Sequence, residues 1–418
     1  MISVEKAHRQ IEEWQPKPAK EEVEWDRARD RIVAEDILAP FGLPRFTNSA
    51  MDGFALRWAE TVGASRQQPV TLSLDGVIAA GESSGQLLQP GNCAQIMTGA
   101  PLPDGADSVV MVEHTNGFGA DPVQIFHPAK LGQNVRQAGE EVAENDKLLS
   151  AGTRLGPGEM GTLLGFGMAR IPVYKKPVVA LLVTGSELKP VGTELRPGQI
   201  YNTNLPVLAD ILQRVGCELT EGRSLPDDPQ QIADQLAVSL ENAHIVVTSG
   251  GVSMGRFDLL RPALNDLGVQ EIFWKVAQKP GSPLFFGVRD KTLIFGLPGN
   301  PVSAIIVFME YVWPVIQKMQ GITPQPKLQA VLSETFPRLA QKHRFLFGRA
   351  WIEGHRLMVQ PTQKHGSHMF TSALQANCIL DASPGEGSLP KGREVRINPL
   401  PWASLAGPDP QLFHTGAA

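Results

Sequence analysis

With 418 residues, 42% hydrophobic and 19% charged, the chain describes a soluble globular protein too long for one core, and roughly two to four domains are expected. A net charge of −5 argues against a general nucleic-acid binder. Cys93, Cys217 and Cys378 are far apart and form no CxxC pair, which excludes a disulfide framework and fits small buried residues in a reducing cytoplasm.

The first segment, MISVEKAHRQIEEW, places Val4, Ala7, Ile11 and Trp14 near helical spacing, so an amphipathic helix ending before Pro16 is expected. It is charged from Glu5 onward and lacks an apolar signal-peptide core. Residues Glu22 to Ile37 read as helix and strand. The loop PFGLPRFTNSAMDGFALR presents Asn48, Ser49 and Asp52 before a strand beginning near Gly53. An Asx-type turn and a functional loop are equally good accounts of it. From Val70 to about Glu144, short β runs separated by turns predict a small β domain; Thr98 sits in one such turn, MTGAP. Residues Leu148 to Tyr174 then give a turn, a short glycine-broken helix and a strand.

After Lys175-Lys176-Pro177 the pattern changes to strands alternating with helices, the signature of a doubly wound parallel sheet. VVALLVTGSEL is a buried strand running into Thr184-Gly185-Ser186-Glu187, and NLPVLADILQRVG is a helix. The turn RSLPDDPQQ, with Asp227 and Asp228, precedes a helix from Ile232 to Leu240. Two further buried strands, His244 to Val247 and Thr292 to Phe295, each break into a glycine turn. One turn holds Ser249, Gly250 and Gly251; the other holds Pro298, Gly299 and Asn300. Helices from Leu259 to Leu267 and from Val302 to Gln317 follow them. Ala304 to Ile316 is the best membrane candidate, but it is short and contains Glu310 and Pro314, so no span is expected. After Gly321, the linker ITPQPK leads to short β runs up to about Leu400, a C-terminal β-barrel or sandwich.

Glycine turns that join strand to helix expose backbone N–H groups and a helix N-terminus, which is how such sheets hold anions. Lys275 and Lys279 are four apart in an extended-looking stretch and are expected on one face, beside both turns. Together these predict a phosphate or oxyanion site. Glu187, Asp227 or Asp228, and Asp258 fall where strands or their turns end, a placement that suits a Mg²⁺ bridging phosphate oxygens. Helix capping explains Asp228 and Asp258 equally well. His365 and His368 are three apart but lack companion ligands, so they read as loop residues.

Seven ordered motifs now on the page resemble one family: FTNSAMDGFALR, IMTGAPLPDGADSVVM, NVRQAGEE, LLVTGSEL, TSGGVSMGRFD, KPGSPLFFG and FGLPGNPVS. They are similar to the MoeA-type molybdopterin molybdenumtransferases, whose plan the C-terminal domain of gephyrin shares. The resemblance implies an α/β plus β multi-domain protein. Its parts would be a discontinuous linking domain (1–41 and 144–175), a β domain with the NSAMDG loop (42–143), a doubly wound α/β molybdopterin-binding domain (176–324) and a C-terminal β-barrel (325–404). It also implies a cytoplasmic homodimer, with the active site between the α/β domain of one subunit and the NSAMDG domain of the other.

The implied reaction takes adenylylated molybdopterin and molybdate, with Mg²⁺, to molybdenum cofactor and AMP. Motif by motif, the resemblance gives Asp52, Glu187 and Asp258 catalytic roles and assigns Glu187, Asp227 or Asp228, and Asp258 to the metal. Thr98, Ser249, Gly250, Gly251, Lys275, Lys279, Pro298 and Asn300 would bind substrate, with Arg349, Ser367 and Ser372 reaching the site from the C-terminal part. Implied partners are a molybdopterin adenylyltransferase and downstream cofactor-handling or apo-molybdoenzyme proteins, with no nucleic acid and no membrane. The chain departs from the family's pattern at Phe54, Gln95, Glu141 and above all Ser282, where a basic residue is common; that change removes one charge from the anion site. Adenylyl transfer to molybdopterin and a non-catalytic scaffold are the other readings.

Overall fold

The computed structural model describes residues 1–82, 87–251, 259–363 and 366–405. The chain divides into two compact units, one built from residues 1–23 and 172–418 and the other from residues 24–171.

The larger unit holds a six-stranded sheet in the order Glu218–Leu225, Val178–Thr184, Ile245–Ser249, Thr292–Leu297, Phe285–Arg289, Gln270–Trp274. The first four strands are parallel; the three inner ones carry apolar runs, as expected, whereas the edge strand Glu218–Leu225 is largely exposed and polar. Phe285–Arg289 runs antiparallel to both its neighbours, so the sheet is mixed rather than wholly parallel. Alternation along Val178–Thr184 sends Val179, Leu181 and Val183 into one core with helices Val4–Glu13, Asn204–Arg214 and Pro301–Met319. Ala180 and Leu182 enter a second core with helices Pro229–Asn242 and Leu260–Asp266. Both faces are thus covered. Each large apolar side chain buried there contributes roughly 1.5–3 kcal/mol.

The helix predicted from Val302 runs from Pro301 to Met319 and is interrupted by a π-helical turn at Phe308–Val312. Its length and composition would suffice to cross a membrane, contrary to the expectation of a short segment, but 78% of it is buried inside the protein. It is the central core helix of its unit.

The C-terminal β runs form a closed barrel: Leu328–Leu332 lies between Arg356–Pro361 and Glu394–Pro399, and His343–Glu353 pairs with both Arg356–Pro361 and Cys378–Ala382. The two-residue strand Gln278–Lys279 adds in parallel to the start of His343–Glu353.

A buried charged network joins these layers. Lys327 Nζ lies 2.6 Å from Glu310 and 3.0 Å from Asp381. Asp381 also meets His343 at 3.1 Å and Arg396 at 3.1 Å, and His343 reaches Glu5 of the first helix at 2.9 Å. The first helix, the core helix and the barrel strands, which already share one apolar core, are thus also joined by charge.

In the smaller unit, a five-stranded sheet runs in the order Ser108–Met111, Gly53–Leu56, Asn92–Ile96, Val70–Ile78, Val123–Ile125, the β domain expected from the turn spacing. Gly53 is obligatory there, because a Cβ would lie 2.0 Å from the Val110 carbonyl oxygen of the adjacent strand. The helix expected within Glu22 to Ile37 is only a 3₁₀ turn at Trp25–Arg27 between short strands. Helix Pro157–Gly165 forms as read. All three cysteines are buried and free, and burial raises each thiol to about 12, so each stays protonated at neutral pH and packs as a small apolar side chain.

Candidate active site

At the carboxyl ends of the parallel strands lies a cavity of about 1070 Å³, at the upper end of the size range for ligand pockets. Two glycine turns build its floor. Gly250 and Gly251 have φ of +93° and +64°, a pair of left-handed residues that no ordinary side chain adopts cheaply. A Cβ on Gly250 would lie 2.5 Å from the Thr184 carbonyl oxygen, so the turn packs directly on the end of the first strand. Asn204 clamps both turns: its Nδ2 donates to Ser249 Oγ at 2.8 Å and to the Gly299 carbonyl at 2.7 Å. Ser249 Oγ in turn donates to the Pro298 carbonyl at 3.0 Å. Ser249 and Asn204 therefore hold the turns in shape, and their hydroxyl and amide are already engaged. Asn300, at the N-cap of the core helix, donates from Nδ2 to Ser367 Oγ at 3.1 Å, bringing the barrel's GSH segment to the cavity.

One polar atom in this floor lacks a partner. Thr184 Oγ1 is buried, in a residue only 5% exposed that lines the cavity, and it makes no hydrogen bond among the described residues. It lies 3.0 Å from where a Cβ on either Gly250 or Gly251 would fall. A buried hydroxyl without a partner is costly, so Thr184 marks a point where the floor is left unsatisfied among the described residues.

Glu187 and Asp227 both line the cavity, whereas Asp228 does not. Asp228 caps helix Pro229–Asn242, accepting from the Gln231 N–H at 2.9 Å. Asp227 Oδ2 accepts from the Ser186 N–H at 3.0 Å, and Ser186 Oγ accepts from the Asp227 N–H at 3.0 Å, a reciprocal pair that joins two strand ends. Of the two aspartates the sequence left undecided, the cavity holds Asp227. Asp258 lies outside the described residues, as does His365. Among the described residues, no group of three or more His, Cys, Asp or Glu could hold a metal. Two carboxylates nonetheless fit Mg²⁺, which keeps several waters and relies on substrate phosphates for its other ligands.

The lysines part company. Lys279 lines the cavity, but Lys275 does not. Between them come a β-bridge at Val276, a bend at Ala277 and the short strand Gln278–Lys279, so the extended stretch starts only after Lys275. Lys275 has φ of +71°, which turns the chain after strand Gln270–Trp274 and lays its ammonium 4.0 Å over the Trp274 ring. Ser367 lines the cavity; Ser372 is buried in the 3₁₀ turn Phe370–Ala373, and Arg349 lies further along strand His343–Glu353, neither of them in the lining. Sequence reading missed Lys342, Arg344 and the orphaned Thr184 hydroxyl, all of which line the cavity. For the two cations the available signal was their period-2 spacing at the start of the barrel strand, Lys342 just before it and Arg344 within it.

The smaller unit gathers three other motifs. Asn48–Ser49 pairs with Val135–Arg136 of NVRQAGEE, and Ser49 exchanges backbone hydrogen bonds with Gly99 and Ala100 of MTGAP. Asp52 Oδ1 then accepts from the Thr98 N–H at 2.6 Å and from its hydroxyl at 2.7 Å. These two donors, the backbone one foremost, hold the exposed carboxyl below its usual range, so Asp52 is presented as an anion.

Three family models cover the chain: the MoeA N-terminal region (domain I and II) over residues 2–167, a probable molybdopterin binding domain over 180–318, and the MoeA C-terminal region (domain IV) over 329–400. The molybdopterin molybdenumtransferase of Haemophilus influenzae is 34% identical over 405 residues, 96% of this chain and 99% of the relative. That of Bacillus subtilis is 33% identical over 419 residues, 97% of each. The crystal structure of the MoeA molybdopterin biosynthesis protein of Pyrococcus horikoshii superposes with a TM-score of 0.83 at 31% identity, covering 95% of this chain and 98% of that one. Matched along its whole length in sequence and in fold, the chain belongs to the MoeA family of molybdopterin molybdenumtransferases.

Proposed function

We propose that this protein inserts molybdate into adenylylated molybdopterin, with Mg²⁺-dependent cleavage of the adenylate, to give molybdenum cofactor and AMP. The observation that carries the reading is the cavity floor. Two successive left-handed glycines and an orphaned threonine hydroxyl face a space lined by Glu187, Asp227 and Lys279. Such a floor suits a ligand rich in anionic oxygens, and a pyrophosphate together with a tetrahedral dianion is that ligand. The family names borne by the relatives point to the same chemistry.

Each residue then has a task. The turns at Gly250-Gly251 and Pro298–Asn300 offer backbone N–H groups to phosphate oxygens, and the Thr184 hydroxyl completes their set. Lys279 holds phosphate or molybdate as a point charge. Glu187 and Asp227, with Asp258, would hold Mg²⁺, which when bound neutralises phosphate charge and favours departure of AMP. Asp52, kept ionised by Thr98, orients or deprotonates the attacking water. The substrate's own sulfurs hold the inserted metal, so buried cysteines are no obstacle.

The protein acts as a cytoplasmic homodimer in this reading, with Asp52 and Thr98 supplied to the cavity by the second copy. It receives substrate from a molybdopterin adenylyltransferase and passes product to cofactor-handling or apo-molybdoenzyme proteins. The test is single-turnover conversion of adenylylated molybdopterin with molybdate and Mg²⁺, followed by AMP release. Asp227→Asn and Asp52→Asn homodimers should both be inactive, and a mixture of the two should regain activity through heterodimers carrying one intact site. No AMP release by the wild type overturns the function; failure of the mixture to recover overturns the shared site.

A further inference from the structure

The cavity wall that carries Lys279 is tied to the protein's interior by one buried amide. Lys279, Pro280, Gly281 and Ser282 line the cavity, and so does Gln278, although Gln278 is only 1% exposed. Gln278 Nε2 donates to the Gly281 carbonyl at 3.1 Å, which closes the turn, and its Oε1 accepts from the Tyr311 hydroxyl. Tyr311 belongs to the π-helical turn Phe308–Val312 of the core helix, and its ring stacks on His8 of the first helix with centroids 4.8 Å apart. Burial above all, with the Glu310 and Asp381 charges adding to it, raises the Tyr311 hydroxyl well above its ordinary value, so it stays protonated and donates. The turn it reaches leaves little room for adjustment. Gly281 has φ of +79°, and a Cβ there would lie 2.3 Å from Val307 Cγ2 of the core helix. Pro280 brings no N–H to anchor it. A phenylalanine at 311 and an apolar residue at 278 would fill the same core, since replacing both members of a buried pair by apolar groups of like shape is nearly neutral. The polar pair is therefore accounted for by what Gln278 does to the turn.

We propose that Gln278, oriented by the Tyr311 hydroxyl, is a positioning residue for the reaction: it fixes the turn so that Lys279 meets the anionic substrate in a preformed place. The inference rests on the insertion reading for its substrate, and it puts neither Gln278 nor Tyr311 in contact with the reacting atoms. A cation held in place before the ligand arrives loses less freedom on binding, so the gain appears as affinity.

The test joins two measurements on the full-length protein: hydrogen exchange of the Gly281, Ser282 and Leu284 amides, and single-turnover AMP release as a function of molybdate concentration. Gln278→Met removes both bonds at similar volume, and Tyr311→Phe removes one while keeping the ring on His8. Tyr311→Phe should raise the half-saturating molybdate concentration about threefold and Gln278→Met about tenfold, with limiting rates within about twofold of the wild type. The double variant should be no worse than Gln278→Met, because Tyr311 acts through Gln278. Exchange of the three amides should quicken in the same order. Thr292→Val is the control: it strips a buried hydroxyl that donates to the Leu240 and Ala243 carbonyls at 3.3 and 3.0 Å, outside the cavity lining. It should lower stability and move neither readout. An unchanged half-saturating concentration, additive effects in the double variant, or an equal shift in Thr292→Val overturns the inference. A wild type that releases no AMP overturns the insertion reading instead, and exchange then decides whether the pair holds the turn. Should Gln278→Met fail to fold, Tyr311→Phe against the same control reads both quantities.

Discussion

Lys327→Met tests whether the buried network holds the barrel to the α/β core. The lysine side chain is 25% exposed, while the Glu310 and Asp381 side chains it joins are 1% and 3% exposed. Methionine preserves the packing over Phe345, above whose ring the ammonium lies at 5.3 Å, but removes the charge. Among the described residues, Glu310 then keeps a long contact from Asn398 at 3.4 Å, whereas Asp381 retains His343 and Arg396. Stripping one partner from a buried pair costs about 3–5 kcal/mol, because a carboxylate is left desolvated and unpaired. The Asp381 acidity gives a separate check on the scale. Against burial, which raises it, hydrogen bonding to His343 and the Lys327 charge bring its pKa from 3.8 to about 2. At 1.36 kcal/mol per unit that is about 2 kcal/mol from this carboxylate, shared among its partners.

The assay is urea unfolding of wild type, Lys327→Met, Glu310→Gln and the double variant. Lys327→Met should lose about 3 kcal/mol or more at pH 7, and the double variant should recover part of it, since an amide tolerates the loss of the ammonium. The folded-state Asp381 pKa is depressed, so its contribution is present above pH 3.8 and lost as pH falls toward about 2. His343 behaves oppositely. Its pKa is raised, hydrogen bonding and charge from Asp381 outweighing desolvation, so its contribution is present below pH 6.5 and fades as pH rises through the folded value. A loss under about 1 kcal/mol for Lys327→Met, or strict additivity in the double variant, would refute the reasoning.

The two adjacent aspartates should separate cleanly. Asp228→Ala should cost about 1 kcal/mol through the lost helix cap and leave AMP release intact, while Asp227→Asn should abolish release with little change in stability. Gly250→Ala combines a left-handed φ with a Cβ 2.5 Å from the Thr184 carbonyl oxygen, so it should lower both unfolding free energy, by about 1–3 kcal/mol, and anion affinity in calorimetry. Thr98→Val removes one of the two donors that keep Asp52 ionised; the acid limb of the pH–rate profile should move to higher pH, and an unshifted limb would remove Asp52 from the rate-determining ionisation.

The α/β layer was legible because its strands carry the patterns that burial demands. Val178–Thr184 opens with six apolar residues and Ile245–Ser249 with three, all the residues of the second strand are buried, and only strands covered on both faces read that way. The antiparallel pairings were not legible: strand Phe285–Arg289, which runs against both its neighbours, is as apolar as Thr292–Leu297, and direction leaves no mark on composition. Of the site residues, those on glycine turns were found because φ above zero selects glycine. Lys275 was misplaced because the extended stretch assumed between it and Lys279 breaks at Lys275 itself, where a non-glycine residue adopts a left-handed conformation. Arg344 was missed because a cation in a β run is ordinarily a solvated side chain, and only the pairing with Lys279, 65 positions away, gives it another neighbour.

That pairing changes the electrostatic reading of Ser282. On sequence alone, a serine in place of the basic residue common in the family weakens the anion site by one charge. In the fold, Ser282 braces its own turn, and the missing charge is more than replaced from the barrel strand, so that the described lining carries Lys279, Lys342 and Arg344 against Glu187 and Asp227. The excess of cations is small, and a divalent metal on the two carboxylates would convert it into a strongly positive site. Affinity for a dianion should therefore rise with Mg²⁺ and fall with salt, and the rise should vanish in Asp227→Asn. Cations placed on a rigid strand also lose less side-chain freedom on binding than one at the tip of a proline-glycine turn, so the relocation favours a preformed anion site over one assembled by the ligand.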